Sequence, residues 1–318
     1  MKRNKALSPK LRTDSLKFKA QAATAHWNFK KIATFFALAG ILIGLVSGWY
    51  AYFNLYMTTE RRFWAAIDNS MSTPSTVRTL TEGASGNLVE QSYRFYYGQE
   101  RVFENKVSFS ERNATSNTFV ETQGIVYYPQ DQYLRYTAFK NETADNTDKS
   151  IDEFLGVWAS QNSGDDEEAR LNYQSELVTL AIFGNFDPVF RNEVIREMQE
   201  KNVYRDVNQA LEDVVDGEKV LRYSTTVQLK PYVELLNRAF ERAGYAAFPP
   251  LNPDNYEEDS TVPATVTVRT KDNSIIGISF GGRDEVYSNY GVVNNVERPD
   301  TNLSVTELQQ QVQAKIEN

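Results

Sequence analysis

The sequence predicts an α+β fold, in which an N-terminal transmembrane helix is followed by an antiparallel β-sheet with helices against it. Three observations carry this. Residues Ile32–Phe53 read IATFFALAGILIGLVSGWYAYF, and no charged residue falls between Lys31 and Glu60. Over 75–140 and again from Lys219 to Tyr290, apolar and polar side chains alternate at period two, with turn residues between the runs. Helical periodicity is confined to the stretches before, between and after these alternating runs.

The apolar run comes first. As a helix rising ~1.5 Å per residue it is long enough to cross a hydrocarbon core of about 30 Å. Lys30 and Lys31 flank its start, and Trp49, Tyr50, Tyr52, Phe53 and Tyr56 crowd its end, as expected at a membrane interface. The first 31 residues carry nine Lys/Arg and one acid, Asp14, a charge of +8. The whole chain is −8, which leaves −16 beyond the tail. The expected topology is single-pass in the cell membrane, with the N-terminus inside and the C-terminal bulk extracytoplasmic. A cleaved signal peptide is the rival, but its apolar core would be shorter and followed by small residues. Gly40, Gly44 and Gly48 recur every four residues, a face through which two such helices could approach as a homodimer. The predicted organisation is a basic cytoplasmic tail over 1–31, a transmembrane helix over 32–54 and a linking helix over 55–74. An extracytoplasmic domain over 75–300 follows, with a helical insert at 150–216, and a C-terminal helix or tail over 301–318.

Composition excludes more than it suggests. There are no cysteines, so disulfides, thiolate nucleophiles, thiolate metal sites and an acylated lipoprotein cysteine are all out. The single histidine is His26, in the basic tail, so nothing beyond the apolar run supplies Ser-His-Asp chemistry or an ordinary zinc site. The acidic balance outside argues against nucleic acid. No cofactor is implied, and an enzyme is not expected. Gly277-Ile-Ser279-Phe-Gly281 matches a nucleophile elbow, but that motif needs a helix next and a histidine elsewhere. The acidic run Asp165-Asp166-Glu167-Glu168 lacks the alternating spacing and turning glycine of a calcium loop, and reads as a solvated loop.

In chain order, a helix running on to Met71 has an apolar stripe at Phe63, Trp64, Ile67 and Met71, and Pro74 ends it. Candidate strands follow at Val77–Thr81, Val89–Tyr97, Arg101–Arg112, Thr118–Tyr128 and Gln132–Lys140, linked closely enough to form an antiparallel meander. Helical patterns cover Ile151–Trp158, Tyr173–Phe183 and Pro188–Lys201, with a weaker one over Val207–Val215. Asp187-Pro188 is an N-cap followed by proline at the first helical position. A strand resumes at Lys219. The helix from Pro231 carries Tyr232, Leu235, Leu236, Ala239, Phe240 and Ala243 on one face and stops at Gly244. Strands at 262–269, 275–280 and 285–290 finish the sheet, and Ser304–Ile316 carries a weak helical stripe at Leu308, Val312 and Ile316 after a Ser304 cap, a frayed helix or a tail.

The stretch Gly217–Lys230, followed by a helix and then Ala264–Arg269, Ile275–Phe280 and Glu285–Asn289, resembles the C-terminal half of the LppX/LprG-type lipoproteins, a group similar in fold to the LolA carrier. The resemblance implies a curved sheet, a half-barrel, with helices packed on its concave face around a hydrophobic cavity for acyl chains. It implies a non-catalytic module that binds a lipid or other hydrophobic ligand. Under it, Phe154, Leu155, Trp158, Leu177, Leu180, Phe183, Phe186 and Phe190 would form the lid or lining. The chain departs from the group in replacing the lipidated cysteine by a membrane helix and in its long helical insert. The alternative is a bitopic structural or assembly subunit of a cell-envelope complex, which would show a filled core rather than a cavity.

Overall fold

The computed structural model describes residue 34 and residues 38–49, 58–84, 87–98, 101–112, 116–128, 131–143, 150–162, 171, 174–245 and 248–317. The chain divides into two units, Met1–Thr58 and Thr59–Asn318. In the first unit, residues 38–49 are helical and mostly exposed. Gly40, Gly44 and Gly48 lie there, with open space where a Cβ would stand. Among the described residues no helix is long and apolar enough to cross a membrane. Most of the rest of Ile32–Phe53 lies outside the described residues, as do the basic tail and the acidic run at 165–168.

The second unit is built on a curved, unclosed antiparallel sheet of twelve strands. Strands β1 (Ser75–Ala84), β2 (Asn87–Tyr97), β3 (Arg101–Arg112), β4 (Ser116–Tyr127) and β5 (Asp131–Thr143) form the expected meander, extended by the short β6 (Ala159–Asn162). A second meander comprises β9 (Glu218–Gln228), β10 (Thr261–Arg269), β11 (Ser274–Phe280) and β12 (Arg283–Ser288). The two join where β12 pairs with β1, Arg78 standing opposite Tyr287 and Leu80 opposite Glu285. The short β7 (Tyr204–Arg205) and β8 (Leu211–Val215) border β9 at the far edge.

Helices α1 (Thr59–Met71), α2 (Pro188–Glu200) and α3 (Leu229–Arg242) cover one face of the second meander. The alternation predicts this. Leu221, Tyr223, Thr225 and Val227 of β9 point inward with Ala264, Val266 and Val268 of β10, against Phe63, Ile67, Leu235 and Leu236. Each such apolar side chain, taken out of water, contributes about 1.5–3 kcal/mol. Asp187 caps α2 as the sequence predicts, its carboxylate accepting from the Val189 and Phe190 amides. Helix α4 (Val305–Glu317) begins with a capping box: Ser304 Oγ accepts from the Glu307 amide, and Glu307 accepts in return from Ser304.

Residues 289–303 form an extended strap on the other face of the first meander. Tyr127 donates its hydroxyl to Val296 O, Arg298 pairs with Asp131, and Thr301 donates to Trp158 O. The strap delivers α4 to the β6 edge, where Leu308 and Val312 bury against Ile151 and Ala159.

Three helical expectations are corrected. Residues 211–215 are strand, not helix, because Asp216-Gly217 forms a two-residue turn with both φ positive, +51° and +80°, pairing Val215 with Glu218. That conformation suits a hairpin, and Asp-Gly is its strongest local signal. Ile151–Trp158 keeps only a 3₁₀ turn at Asp152–Phe154. Over Tyr173–Phe183, one helical turn at 174–177 gives way to irregular chain that bends at 180 and 181. There the backbone is claimed by partners elsewhere: Tyr232 donates to Thr179 O, Tyr204 to Leu180 O and Ser70 to Ile182 O. Tertiary hydrogen bonds to buried carbonyls override a marginal local preference.

Candidate functional site

The two meanders meet over a buried polar cluster that sequence reading did not single out. Arg78 on β1 is 1% exposed. Its guanidinium lies over the rings of Tyr93 and Phe95, 5.0 and 5.2 Å from their centroids. It pairs with Glu176 at 3.4 Å and with the fully buried Glu285 at 3.8 Å. Tyr287 and Thr179 each donate to Glu285 Oε2 at 2.5 Å. Arg283 Nε stands 2.9 Å from Glu285 Oε1, yet neither atom has an aligned hydrogen bond, and Arg78 Nε has none either. Burial, and then the Glu285 carboxylate, push the Tyr287 phenol well above its ordinary range, so it remains a neutral donor. A buried charge is tolerable only when paired, and removing one member strands the others.

Beside this cluster, between the sheet and α3, lies a narrow slot of about 30 Å³. Its inner end is polar, at Thr76, Arg78, Thr179 and Tyr287, and the rest of its wall is mainly apolar, including Phe95, Leu177, Phe183, Phe186 and Phe240. That volume admits about one water, not an acyl chain. The slot adjoins a wider vestibule of about 270 Å³. Tyr97, Phe186, Ala243 and Tyr245 line both hollows, and Arg101, Asp187 and Arg242 stand in the vestibule. A separate open groove of about 580 Å³ lies between the start of α1 and residues 199–208, lined by Glu60, Trp64, Arg205 and Asp206 among others.

The predicted lining residues fall into separate places. Leu177, Phe183 and Phe186 line the slot. Leu180 is core, and Phe190 packs on the same core with its ring 5.1 Å from Phe186. Phe154 and Leu155 are remote from these in the fold, packed with α4. Trp158 packs with Tyr127 and Val296 and carries Arg135 on its ring. Sequence reading missed Arg78, Glu285, Tyr97 and Tyr245. The signal was slight: Arg78 and Glu285 occupy inward positions of their strands, where alternation calls for apolar residues.

Ser279 of the Gly-x-Ser-x-Gly match is exposed on β11 and is followed by a turn into β12, so no nucleophile elbow forms. Among the described residues, no group of three or more His, Asp or Glu side chains is placed to hold a metal ion.

No protein-family model matches the chain. No curated protein matches it. Among solved structures, LprF from Mycobacterium bovis, an LppX/LprG-type lipoprotein, aligns over 76% of this chain and 96% of its own. The identity is 10% and the TM-score 0.36, a likeness that assigns neither ligand nor activity.

Proposed function

We propose that this protein is a non-catalytic binding module for a lipid or other hydrophobic ligand, anchored in the cell membrane by residues 32–54 with its sheet domain outside. One observation carries the ligand reading: the slot shares aromatic walls with a vestibule large enough for a small ligand group. The slot is closed here, so a chain enters only if Leu177, Phe183 and Phe186 move away from α3. They sit on a segment with little regular structure, the kind that opens at low cost. The non-catalytic reading is supported by the lack of histidine and cysteine beyond the apolar run. The anchor is supported by the uncharged run, its basic flank and its aromatic end; Gly40, Gly44 and Gly48 are the surface through which two anchors would pair.

The near-filled slot favours a second reading, a structural subunit of a cell-envelope assembly. Residues 59–318 form a compact unit with its own core and are the part to purify. Organic extraction followed by mass spectrometry is expected to find co-purified lipid in stoichiometric amount, and an empty extract turns the assignment to the structural reading. The anchor has its own test. Protease added to intact cells should degrade the sheet domain and leave the basic tail intact.

A further inference from the structure

The vestibule is electrostatically unlike the chain that holds it. Beyond the basic tail the protein carries −16, yet the ionisable side chains lining this hollow, besides tyrosines, are Arg101, Arg242 and Asp187. Asp187 is already committed twice: it caps α2 and accepts from Arg242 Nη2 at 2.6 Å. That contact, with the amides of Phe190 and Val189, holds its carboxyl below the usual range, so it is ionised at neutral pH. Arg101 has no carboxylate within ion-pair distance among the described residues. Its Nε donates to Ala243 O at the end of α3 and its guanidinium lies over the Tyr245 ring, 5.5 Å from the centroid. Its two Nη groups have no acceptor among the described residues. Gly244, at φ +78°, leaves the room they occupy, and any side chain there would collide with the guanidinium. The described lining thus has a net charge of +1, from an arginine held by its Nε whose fork has no acceptor among the described residues.

We propose that this vestibule is the headgroup site for an anionic, phosphate-bearing amphiphile, with Arg101 and Arg242 holding the phosphate oxygens and the slot receiving the start of the chain. The proposal rests on the hydrophobic-ligand reading and adds the charge of the ligand. Arg101 offers paired N–H donors of the kind that match phosphate geometry. Arg242 turns from Asp187 toward the incoming anion. Tyr97, Phe186, Ala243 and Tyr245, common to both hollows, form the throat between head and chain.

The test uses residues 59–318, incubated with phosphatidylcholine vesicles doped with either fluorescent phosphatidylglycerol or fluorescent phosphatidylcholine, then separated from the vesicles. The wild type is expected to carry off phosphatidylglycerol in preference. Arg101→Gln and Arg242→Gln should each cut that preference by about tenfold, the worth of one charge-assisted hydrogen bond, and lower phosphatidylcholine uptake less, because its choline cation opposes the arginines that hold its phosphate. Asp187→Asn keeps a capping oxygen, removes the competing charge and should raise the preference, so the proposal stays testable even if an arginine variant misfolds. Equal uptake of both lipids by the wild type, or a preference unmoved by all three variants, overturns the headgroup site and leaves the hydrophobic-ligand reading standing. Uptake of neither lipid overturns both. Calorimetric binding of inorganic phosphate alone, abolished by Arg101→Gln and with no lipid taken up, would mark a free-phosphate site and also overturn the proposal.

Discussion

The two meanders use the same kind of strand to different ends. In β9–β11, inward residues such as Tyr223, Val227, Val268, Ile275 and Ile278 are fully buried, while Ser224 and Ser279 between them are open to water. Among the described residues of β4 only Gly124, Ile125 and Tyr127 are buried, and in β5 none is; nearly all are half-covered. The first arrangement arises because three helices seal one face and no helix among the described residues covers the other. In the second, α4 and the 3₁₀ turn touch one face near the edge and the strap touches the other, and neither finishes the job. Strand pairing alone stabilises weakly; completed burial of one face is what gives a sheet its strength. Stability should therefore be concentrated in the second meander and its seam with β1 and β2, and β4 and β5 are the part free to adjust.

The largest effect should come at the seam between them. Arg78→Met leaves the buried Glu285 with Arg283 alone to oppose its charge and should cost up to about 3–5 kcal/mol in urea unfolding. Arg78→Met combined with Glu285→Leu should recover much of that loss. If the double variant is as unstable as the single one, the cluster is not acting as a charge pair.

Next comes a direct contrast of the halves. Leu235→Ala, in the sealed core, should cost about 2–5 kcal/mol, whereas Leu134→Ala on the half-covered β5 should cost well under half as much. Equal losses would show that the first meander is packed as firmly as the second. Hydrogen exchange on the same samples should show β5 amides opening before those of β10.

The smallest effect tests the far end. Ser304→Ala removes the α4 cap and should cost about 1 kcal/mol. The hydrogen bonds from the Ser304 amide and hydroxyl hold the Glu307 carboxyl below its ordinary 4.5. A depressed folded value means the contribution is present above the unfolded pKa and is lost as pH falls through the folded one. The gap between wild type and Ser304→Ala should therefore narrow below about pH 4, and thermal melts across that range measure it. A gap independent of pH would mean that Glu307 takes no part in the cap.

Elements with strong local causes were legible in advance. The period-two runs, the Asp187-Pro188 cap, the amphipathic face of α3 and the Ser304 cap each follow from neighbours a few residues apart, and each appears where expected. The insert was legible only in part. The marginal pattern over Val207–Val215 yielded to an Asp-Gly hairpin turn, and Tyr173–Phe183 yielded to hydroxyls reaching in from α1, α3 and β7. Of the eight predicted lining residues, three reach the slot, because apolar character marks a residue for burial without saying against what. The slot, the vestibule and the Arg78–Glu285 pair arise from β1 meeting β12 across some two hundred residues of chain. Short-range chemistry is written into adjacent residues and is read from them. Which buried charges face each other, and how much space is left between a helix and a sheet, depends on contacts that come into being only when distant segments pack.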